Sequence, residues 1–154
     1  MTENGTLDSF DRAILAEIQR DTRVTYEQLA DRVNLSESAA RRRLQKLRAS
    51  GIVRREVALL DGDRLGFTVI VGMRCSQESE SSYARLTARW DECASITQVY
   101  NTSGEADFIL VTHFADMPAY DAWLKDYVIG DPDIERCDSS FCFSTVKFET
   151  AIPV

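Results

Sequence analysis

Apolar residues in the first part of the chain recur at the spacing of an α-helix. These positions are Leu7, Phe10, Ile14, Leu15 and Ile18. Residues spaced in this way share one helix face, and a short polar side chain just before them can accept a hydrogen bond from the first helical amides. The pattern therefore predicts a first helix that is capped by Asp8 or Ser9 and ends near Asp21.

Two further helices are predicted at short intervals. Thr25 and Gln28 have the spacing of a capping box ahead of a short apolar run. Asn34 predicts a tight turn after this second helix, because asparagine tolerates a left-handed backbone. Ser36 can cap a third helix, which Gly51 should end. Two helices joined by so short a turn have the outline of a helix-turn-helix.

The remainder of the chain alternates between β-rich and helical segments. In chain order they are a strand at 67–74, a helix at 79–93, strands at 96–102 and 107–114, a helix that begins at 116 and stops at 130–132, and a strand at 137–149. Gly104 lies in the hairpin between the second and third strands, where we expect a positive φ. This order predicts a ferredoxin-like βαββαβ unit whose helices cover one face of the sheet.

The other face of this sheet is also expected to be apolar. In the last strand Ser139, Phe141 and Phe143 alternate with Ser140, Cys142 and Ser144. Neither side is strongly charged, and the first strand is similarly apolar on both sides. A sheet with two apolar faces and helices on only one needs a partner, and a second copy of the chain related by twofold symmetry is the simplest one.

Charge is distributed unevenly along the 154 residues. The formal net charge is -7, yet residues 1–55 hold eleven Lys and Arg against eight Asp and Glu. Much of this positive charge lies in the third helix, at Arg41, Arg42, Arg43, Lys46 and Arg48. A basic module joined to an acidic one predicts that the basic module contacts nucleic acid. A solvated helix face is the alternative explanation.

A helical wheel separates the two sides of the third helix. Ala40, Leu44 and Leu47 share a face that must pack on the other helices, whereas Arg42 and Gln45 point the opposite way, where they can reach base edges in the major groove. Flanking cations can neutralise phosphates, and the helix N-terminus can add backbone donors. The candidate DNA-binding residues are Ser36, Ser38, Arg41, Arg42, Arg43, Gln45 and Lys46.

The N-terminal residues resemble the winged helix-turn-helix of the Lrp/AsnC family of bacterial and archaeal transcriptional regulators. The matching positions are Leu7-Asp8, Asp11, Ile14-Leu15, Asp21, Arg23, Leu29-Ala30, Val33, Leu35-Ser36, Arg43-Leu44, Leu47 and Gly51-Ile52-Val53. The C-terminal half is similar to the effector domain of that family, the RAM domain. The resemblance implies an α+β protein with a winged helix-turn-helix at 1–55, a wing strand and linker at 56–66, and a ferredoxin-like effector-binding and oligomerisation domain at 67–154. The alternating, β-rich segment Ile52–Leu60 would then be the wing and the strand that leads into the linker.

The same resemblance places an amino-acid effector at the hairpin after the second strand. The residues are Tyr100, Thr102, Ser103, Gly104, Glu105 and Asp107. Exposed amides of a glycine turn can hold a carboxylate and Asp107 can hold an ammonium, so together they suit a zwitterion. The alternative is structural, with Gly104 making the turn and Asp107 capping it. Family members often have Thr where this chain has Ser103, which keeps the hydroxyl but loses a methyl group.

Other candidate chemistry is weak in this sequence. His113 lies in an apolar strand and is expected to be packed or hydrogen-bonded, and the four scattered cysteines are expected to be reduced. We expect neither an enzyme nor a metal or other cofactor, because no nucleophile-base pair, metal cluster or phosphate loop is found. A polar N-terminus and the lack of an apolar run of about 18 residues predict a cytoplasmic, nucleoid-associated protein without membrane contact.

The sequence thus predicts a DNA-binding transcriptional regulator whose binding or assembly responds to an amino acid or related small metabolite. The alternative is an architectural protein that wraps DNA without a metabolite signal. The expected partners are double-stranded DNA, the amino-acid effector and further copies of the chain. The resemblance implies a dimer that assembles into an octamer of four dimers.

Overall fold

The computed structural model describes residues 7–77 and 79–154, which divide into two compact units. The first unit combines the described part of Met1–Leu59 with the C-terminal segment Lys147–Val154, and the second is Leu60–Val146. The expected boundaries placed this C-terminal segment with the sheet, so its position differs from that expectation. The polar residues at the N-terminus, on which the expected location depends, lie outside the described residues.

The first unit consists of three helices around one apolar cluster. Helix α1 is Ser9–Ile18, helix α2 is Tyr26–Val33 and helix α3 is Glu37–Ala49. Their apolar faces pack together, so that Ile14, Leu29 and Leu44 are at most 4% exposed. The expected order of three helices is confirmed, although α1 ends at Ile18 rather than near Asp21.

Side-chain caps and one left-handed residue set the ends of these helices. Asp8 caps α1 in a capping box with Asp11, and Thr25 forms the expected box with Gln28 at the start of α2. Asn34 has a φ of 55°, which turns the chain between α2 and α3. The helix-turn-helix geometry therefore follows from short-range hydrogen bonds that the sequence already indicates.

The wing strand expected in the segment Ile52–Leu60 is not present. This segment has no regular secondary structure, and no strand of the described residues pairs with it. Two of its alternating apolar side chains stay exposed, at 61% for Val57 and 59% for Leu59. The expectation was wrong because alternation identifies a potential strand, whereas a strand also needs a neighbour for its backbone hydrogen bonds.

The C-terminal tail packs beside helix α1 within the first unit. The side chain of Gln19 donates from Nε2 to the carbonyl oxygen of Ile152 at 2.8 Å and accepts from the amide of Ile152 at 2.9 Å. One side-chain amide thus makes the two hydrogen bonds that a backbone segment would make with a neighbouring strand. This contact between residues far apart in the chain was not expected from the sequence.

The second unit is a four-stranded antiparallel sheet with two helices. The strands are β1 Phe67–Cys75, β2 Ile96–Asn101, β3 Phe108–Phe114 and β4 Ile134–Phe141, and the helices are α4 Glu80–Asp91 and α5 Met117–Tyr127. The strand order is β2-β3-β1-β4. The expected ferredoxin-like βαββαβ fold is confirmed.

Alternate residues of the central strands face the helices and form the core. Val71 of β1 lies opposite Leu110 of β3, and both are fully buried. Trp90 of α4 and Trp123 of α5 pack into the same cluster and are at most 4% exposed. The two helices expected from the sequence therefore each bury one side on this face of the sheet.

Strand β4 begins and ends earlier than the strand expected at 137–149. Ile134 already pairs with Cys75, and Phe141 pairs with Val69. Beyond Phe141, a single backbone bond to the neighbouring strand is found among the described residues, from the amide of Cys142 to the carbonyl of Thr68 at 3.0 Å. The expectation was wrong because the end of the neighbouring strand limits β4, whatever the alternation of its own residues.

The face of the sheet opposite the helices, here called the open face, is half-buried and apolar at its centre. Ile70 lies opposite Val111 there, and Gly72 lies opposite Ile109. Toward the end of β1 the same face becomes charged at the exposed Arg74. The centre agrees with the expected apolar surface, whereas the charged end was not expected.

Candidate nucleic-acid interface and ligand loop

Helix α3 is held by its apolar side and presents its polar side to solvent. Ala40, Leu44 and Leu47 are at most 4% exposed. Arg42 and Gln45, on the opposite side of the helix, are exposed. The orientation predicted by the helical wheel is confirmed.

One surface cleft brings together most of the candidate DNA-binding residues. Its lining is Ser36, Glu37, Ser38, Arg41, Arg42 and Gln45. The hydroxyl of Ser36 caps α3 by accepting from the amide of Ala39 at 3.3 Å. The cleft therefore lies at the N-terminal end of α3, where unpaired amides and the helix dipole favour anions. Lys46 is exposed but is not part of this lining.

The polar side chains of α3 differ in how far they are already engaged. No hydrogen bond or ion pair within the described residues engages the side chains of Arg42, Gln45 or Lys46. Arg41 donates from Nη2 to Oε1 of Glu37 at 2.8 Å, and its guanidinium carbon lies 4.8 Å from the centroid of the Tyr26 ring. The side chain of Arg41 remains 51% exposed, so it is held in place yet still accessible.

Arg43 is turned toward α1 instead of outward. Its Nη1 atom donates to Asp8 at 2.7 Å and to Asp11 at 2.8 Å, and its guanidinium carbon lies 5.4 Å from the centroid of the Phe10 ring. The side chain is 28% exposed. These contacts fasten α3 to α1, which differs from the phosphate contact expected for Arg43.

Two residues of this surface were not identified from the sequence. Glu37 lines the cleft, and Tyr26 lies beneath Arg41 and accepts a hydrogen bond from Nη1 of Arg48 at 3.2 Å. The four-residue spacing of Glu37 and Arg41 was a usable signal for the first. The second stands on another helix, so only the fold shows its position.

The residues of the expected ligand loop fall into two groups. Thr102, Gly104 and Glu105 line a depression of about 480 Å³ on the open face, whereas Tyr100, Ser103 and Asp107 do not. The other lining residues are Ile70, Gly72, Arg74, Ala106, Ile109, Arg136, Asp138 and Ser140. Tyr100 is 52% exposed, and its hydroxyl donates to Gln98 at 2.6 Å.

Asp107 is bound to the neighbouring strand. Its Oδ2 atom accepts from the amide of Cys75 at 2.7 Å, and its own amide donates to the carbonyl of Met73 at 2.9 Å. Burial, followed by the charge of Asp107, raises the pKa of the Cys75 thiol to about 11. Asp107 therefore has a structural role, but it joins the start of β3 to β1 instead of capping the turn.

Gly104 does not have the positive φ that was expected. Among the described glycines, positive φ values occur at Gly51, Gly66 and Gly130. The hairpin is closed by Thr102. Its hydroxyl donates to the carbonyl of Ala106 at 2.5 Å, and its amide donates to the carbonyl of Asp107 at 2.9 Å. The expectation was wrong because these bonds close the hairpin without a left-handed residue at position 104.

The remaining candidate groups have no evident chemistry of their own. His113 is half-buried, and its Nε2 atom is buried without a hydrogen-bond partner among the described residues. All four cysteines are free thiols. Within residues 7–77 and 79–154, no side-chain cluster could hold a metal ion and no helix is long and apolar enough to cross a membrane.

Comparison with known protein families gives the same result for both units. A family model described as the AsnC-type helix-turn-helix domain matches residues 7–48, which include α1, α2 and all but the last residue of α3. A second model, described as the Lrp/AsnC ligand binding domain, matches residues 68–152, which include the sheet and the loop. Together the two matches span most of the chain.

Individual relatives agree with these matches over nearly the full length. The chain is 32% identical over 150 residues to the DNA-binding transcriptional activator DecR of Escherichia coli (strain K12), which covers 96% of this chain and 99% of the relative. An AsnC family transcriptional regulator from Agrobacterium tumefaciens aligns with a TM-score of 0.86 at 33% identity, covering 95% of this chain and 96% of that one. A transcriptional regulator from Neisseria meningitidis, solved as a complex with L-Met, aligns with a TM-score of 0.86 at 29% identity, covering 96% and 97%.

Proposed function

Because the chain belongs to the Lrp/AsnC family of transcriptional regulators, we propose that it binds specific operator DNA through α3 and that an amino acid or related small metabolite changes this binding or the assembly of the protein. The observation that carries the proposal is the outward face of α3. Arg42 and Gln45 are exposed and unengaged there, beside the held guanidinium of Arg41.

The residues of this face have distinct roles in the proposal. Arg42 and Gln45 read base edges, since an arginine can bond guanine and a glutamine can bond adenine through two hydrogen bonds each. Arg41 and Lys46 contact phosphates of the DNA backbone. Ser36 and Ser38 offer their hydroxyls, and the amides at the N-terminus of α3, to phosphates of the same DNA strand. Arg43 supports this face from behind through Asp8 and Asp11 and makes no direct contact with DNA.

The depression on the open face is large enough for a small ligand. Its volume of about 480 Å³ lies within the range of about 300 to 1,000 Å³ that is typical of small-molecule sites. At its wall, Nε of Arg136 lies 2.7 Å from Oδ2 of Asp138, so a zwitterion would bind there by exchanging this ion pair for contacts of its own carboxylate and ammonium. Thr102, Gly104 and Glu105 line the depression, and Asp107 holds the loop against β1. In the proposal, Tyr100 and Ser103, which lie outside this lining, contact the ligand from the same loop. The L-Met complex of the Neisseria relative supports an amino acid as the ligand class.

A second copy of the chain is the proposed partner of the open face. The centre of this face is apolar and only half-buried, and the buried Nε2 atom of His113 has no partner among the described residues. Apolar side chains that follow β4 are also unprotected, with Phe143 and Val146 at 103% and 97% exposure. A twofold dimer would cover such surfaces and would present two α3 helices to paired half-sites. Further assembly into an octamer of four dimers is the corresponding proposal for the complete particle.

Ligand response would then be a shift between assemblies. A ligand at subunit contacts stabilises the assembly for which it has the higher affinity, and the assembly sets the spacing between α3 helices. Operators with different half-site spacing would gain or lose affinity accordingly. The ligand needs no contact with DNA in this mechanism.

Three measurements test the proposed function. Selection of bound sequences from a random DNA pool should yield a preferred motif with paired half-sites, and sedimentation at micromolar concentration should give a dimer or larger species. Titration calorimetry with the common amino acids should identify a ligand that changes this binding or assembly. A chain that binds DNA without sequence preference and ignores every amino acid would instead be an architectural DNA-wrapping protein.

A further inference from the structure

The DNA-facing cleft contains one carboxylate, that of Glu37. This residue is the first of α3, its side chain is 52% exposed, and it lines the cleft together with Arg42 and Gln45. It is the only acidic residue in that lining. A carboxylate in this position needs a physical reason, because DNA phosphates repel it and thereby weaken binding to every sequence.

The geometry around Glu37 leaves half of the carboxylate available. Its Oε1 atom accepts from Nη2 of Arg41 at 2.8 Å, and Arg41 is itself held over the ring of Tyr26. No hydrogen bond within the described residues engages the second oxygen, Oε2. The side chain is therefore held by one oxygen, which leaves the other able to accept a further hydrogen bond.

The bases of DNA differ in their response to such an acceptor. In the major groove, cytosine presents an amino donor at N4, and adenine presents an amino donor at N6 beside an acceptor at N7, whereas guanine and the oxygen of thymine present acceptors. A carboxylate oxygen accepts a hydrogen bond from the amino group of cytosine, is partly opposed by N7 at adenine, and is repelled by the acceptors of guanine and thymine. An anion of this kind therefore favours cytosine most and contributes discrimination more than total affinity.

We propose that Glu37 is a specificity-determining residue of the DNA-binding surface, which accepts a hydrogen bond from the amino group of a cytosine in each half-site and rejects bases that present an acceptor there. This inference rests on the proposed function of α3. The ion pair with Arg41 positions the carboxylate, and Arg41 remains free on its other side to contact phosphate.

The test compares Glu37→Gln with wild type and with Glu27→Gln. Glu27 is an exposed first-turn residue of α2 that does not line the cleft, so its substitution makes the same charge change in the same unit. Each full-length protein is used to select sequences from a random DNA pool, and affinities for the selected and random duplexes are then measured at one salt concentration. Circular dichroism and thermal melting verify that each variant is folded.

Both substitutions should strengthen binding to random DNA, because each removes a negative charge. Only Glu37→Gln should reduce the preference for cytosine at one position of each half-site, by about tenfold, since its amide can also donate to the acceptors that a carboxylate rejects. In an Arg41→Ala background, Glu37→Gln should lower the cytosine preference further, because the carboxylate contacts the base directly and does not act only through Arg41.

Three outcomes would overturn the inference. Retention of the wild-type motif by Glu37→Gln contradicts it while leaving the proposed function intact. Equal broadening by Glu27→Gln and Glu37→Gln assigns the effect to charge alone. A wild-type protein that selects no motif removes the proposed function and this inference with it.

Discussion

The Nη1 atom of Arg43 lies 2.8 Å from Oδ1 of Asp11, and this bond joins the third helix of the helix-turn-helix to the first. The carboxylate of Asp11 is only 17% exposed. A second carboxylate, that of Asp8, accepts from the same nitrogen at 2.7 Å. Although Arg43 lies in the middle of a basic run, it thus stabilises the helix-turn-helix unit, whereas its neighbours in that run stay exposed.

Substitution of Arg43 should therefore affect stability before it affects DNA contacts. We expect Arg43→Ala to lower the midpoint of thermal unfolding, because Asp8 and Asp11 lose their shared partner. The slope of DNA affinity against salt concentration should stay unchanged in the folded variant. Thermal melting and a salt titration measure the two effects, and a slope that falls by about one phosphate contact would place Arg43 on the DNA.

Substitution of the exposed residues of α3 should affect DNA binding and leave stability nearly unchanged. Lys46→Ala should weaken binding to specific and random duplexes alike and should flatten the salt dependence, because a phosphate contact carries no sequence information. Arg42→Ala and Gln45→Ala should instead relax base preference, at a cost of about 1 to 3 kcal/mol for each good pair of hydrogen bonds. Competition assays with selected and random duplexes separate these effects. Equal losses on both kinds of DNA for all three variants would remove the proposed base contacts.

Two glycines of the second unit should respond very differently to a methyl group. Gly104 has open space around it to 4 Å and lacks a positive φ, so Gly104→Ala should leave thermal stability nearly unchanged. At Gly66 an added Cβ would lie 2.0 Å from the carbonyl oxygen of Phe114, so Gly66→Ala should be strongly destabilising. Thermal melting compares the two variants. If Gly104→Ala also abolished amino-acid binding in calorimetry, the loss would reflect the ligand site and not the fold.

Local rules were sufficient for much of this fold. The capping box of Thr25 and Gln28 and the left-handed Asn34 involve residues within one or two turns of each other, so their outcome is contained in the sequence. Helical stripes such as that of Trp123 identify the buried face for the same reason. These features set the helix-turn-helix and the face of the sheet that the helices cover.

Contacts between residues far apart in the chain account for the places where the structure differs from the expectations drawn from the sequence. Arg43 follows the basic pattern of α3, but its direction depends on carboxylates at Asp8 and Asp11, which only the packed unit brings near. The segment Ile52–Leu60 alternates like a strand yet has no neighbour among the described residues. Sequence patterns indicate what a segment can do, and the availability of a partner decides whether it does so.

The attachment of the C-terminal tail can be tested at Gln19. Gln19→Ala removes both side-chain bonds to Ile152, and we expect a loss of about 1 kcal/mol in the free energy of tail docking, since exposed neutral hydrogen bonds contribute modestly. Hydrogen exchange at the amide of Ile152 should accelerate. Gln28→Ala is a suitable comparison, because it removes a glutamine bond at the start of α2 and should leave that amide unaffected.

The carboxylate of Asp131 is buried between two arginines. The Asp131 side chain is 3% exposed and accepts from Arg85 at 2.5 Å and from Arg89 at 2.8 Å, which ties α4 to the segment before β4. Because the two arginines are 44% and 38% exposed, each can regain water when the carboxylate is lost. We therefore expect Asp131→Asn to cost about 2 kcal/mol in the free energy of unfolding, less than for a fully buried pair. Asp121→Asn, which breaks the exposed pair with Lys125, should cost about 0.3 to 0.5 kcal/mol.

The pH dependence of stability follows from the same carboxylate. Burial raises the pKa of Asp131, but the hydrogen bonds from Arg85 and from the amide of Asp133 outweigh it, so the pKa lies below its ordinary value of 3.8. A carboxyl whose pKa is lowered by folding stabilises the folded state above its unfolded pKa, and this contribution is lost as the pH falls through the folded pKa. Wild-type stability should therefore decline below about pH 4, and Asp131→Asn should show a shallower decline in denaturant unfolding measured between pH 7 and pH 2.5. Parallel curves for the two proteins would mean that folding does not lower the pKa of Asp131.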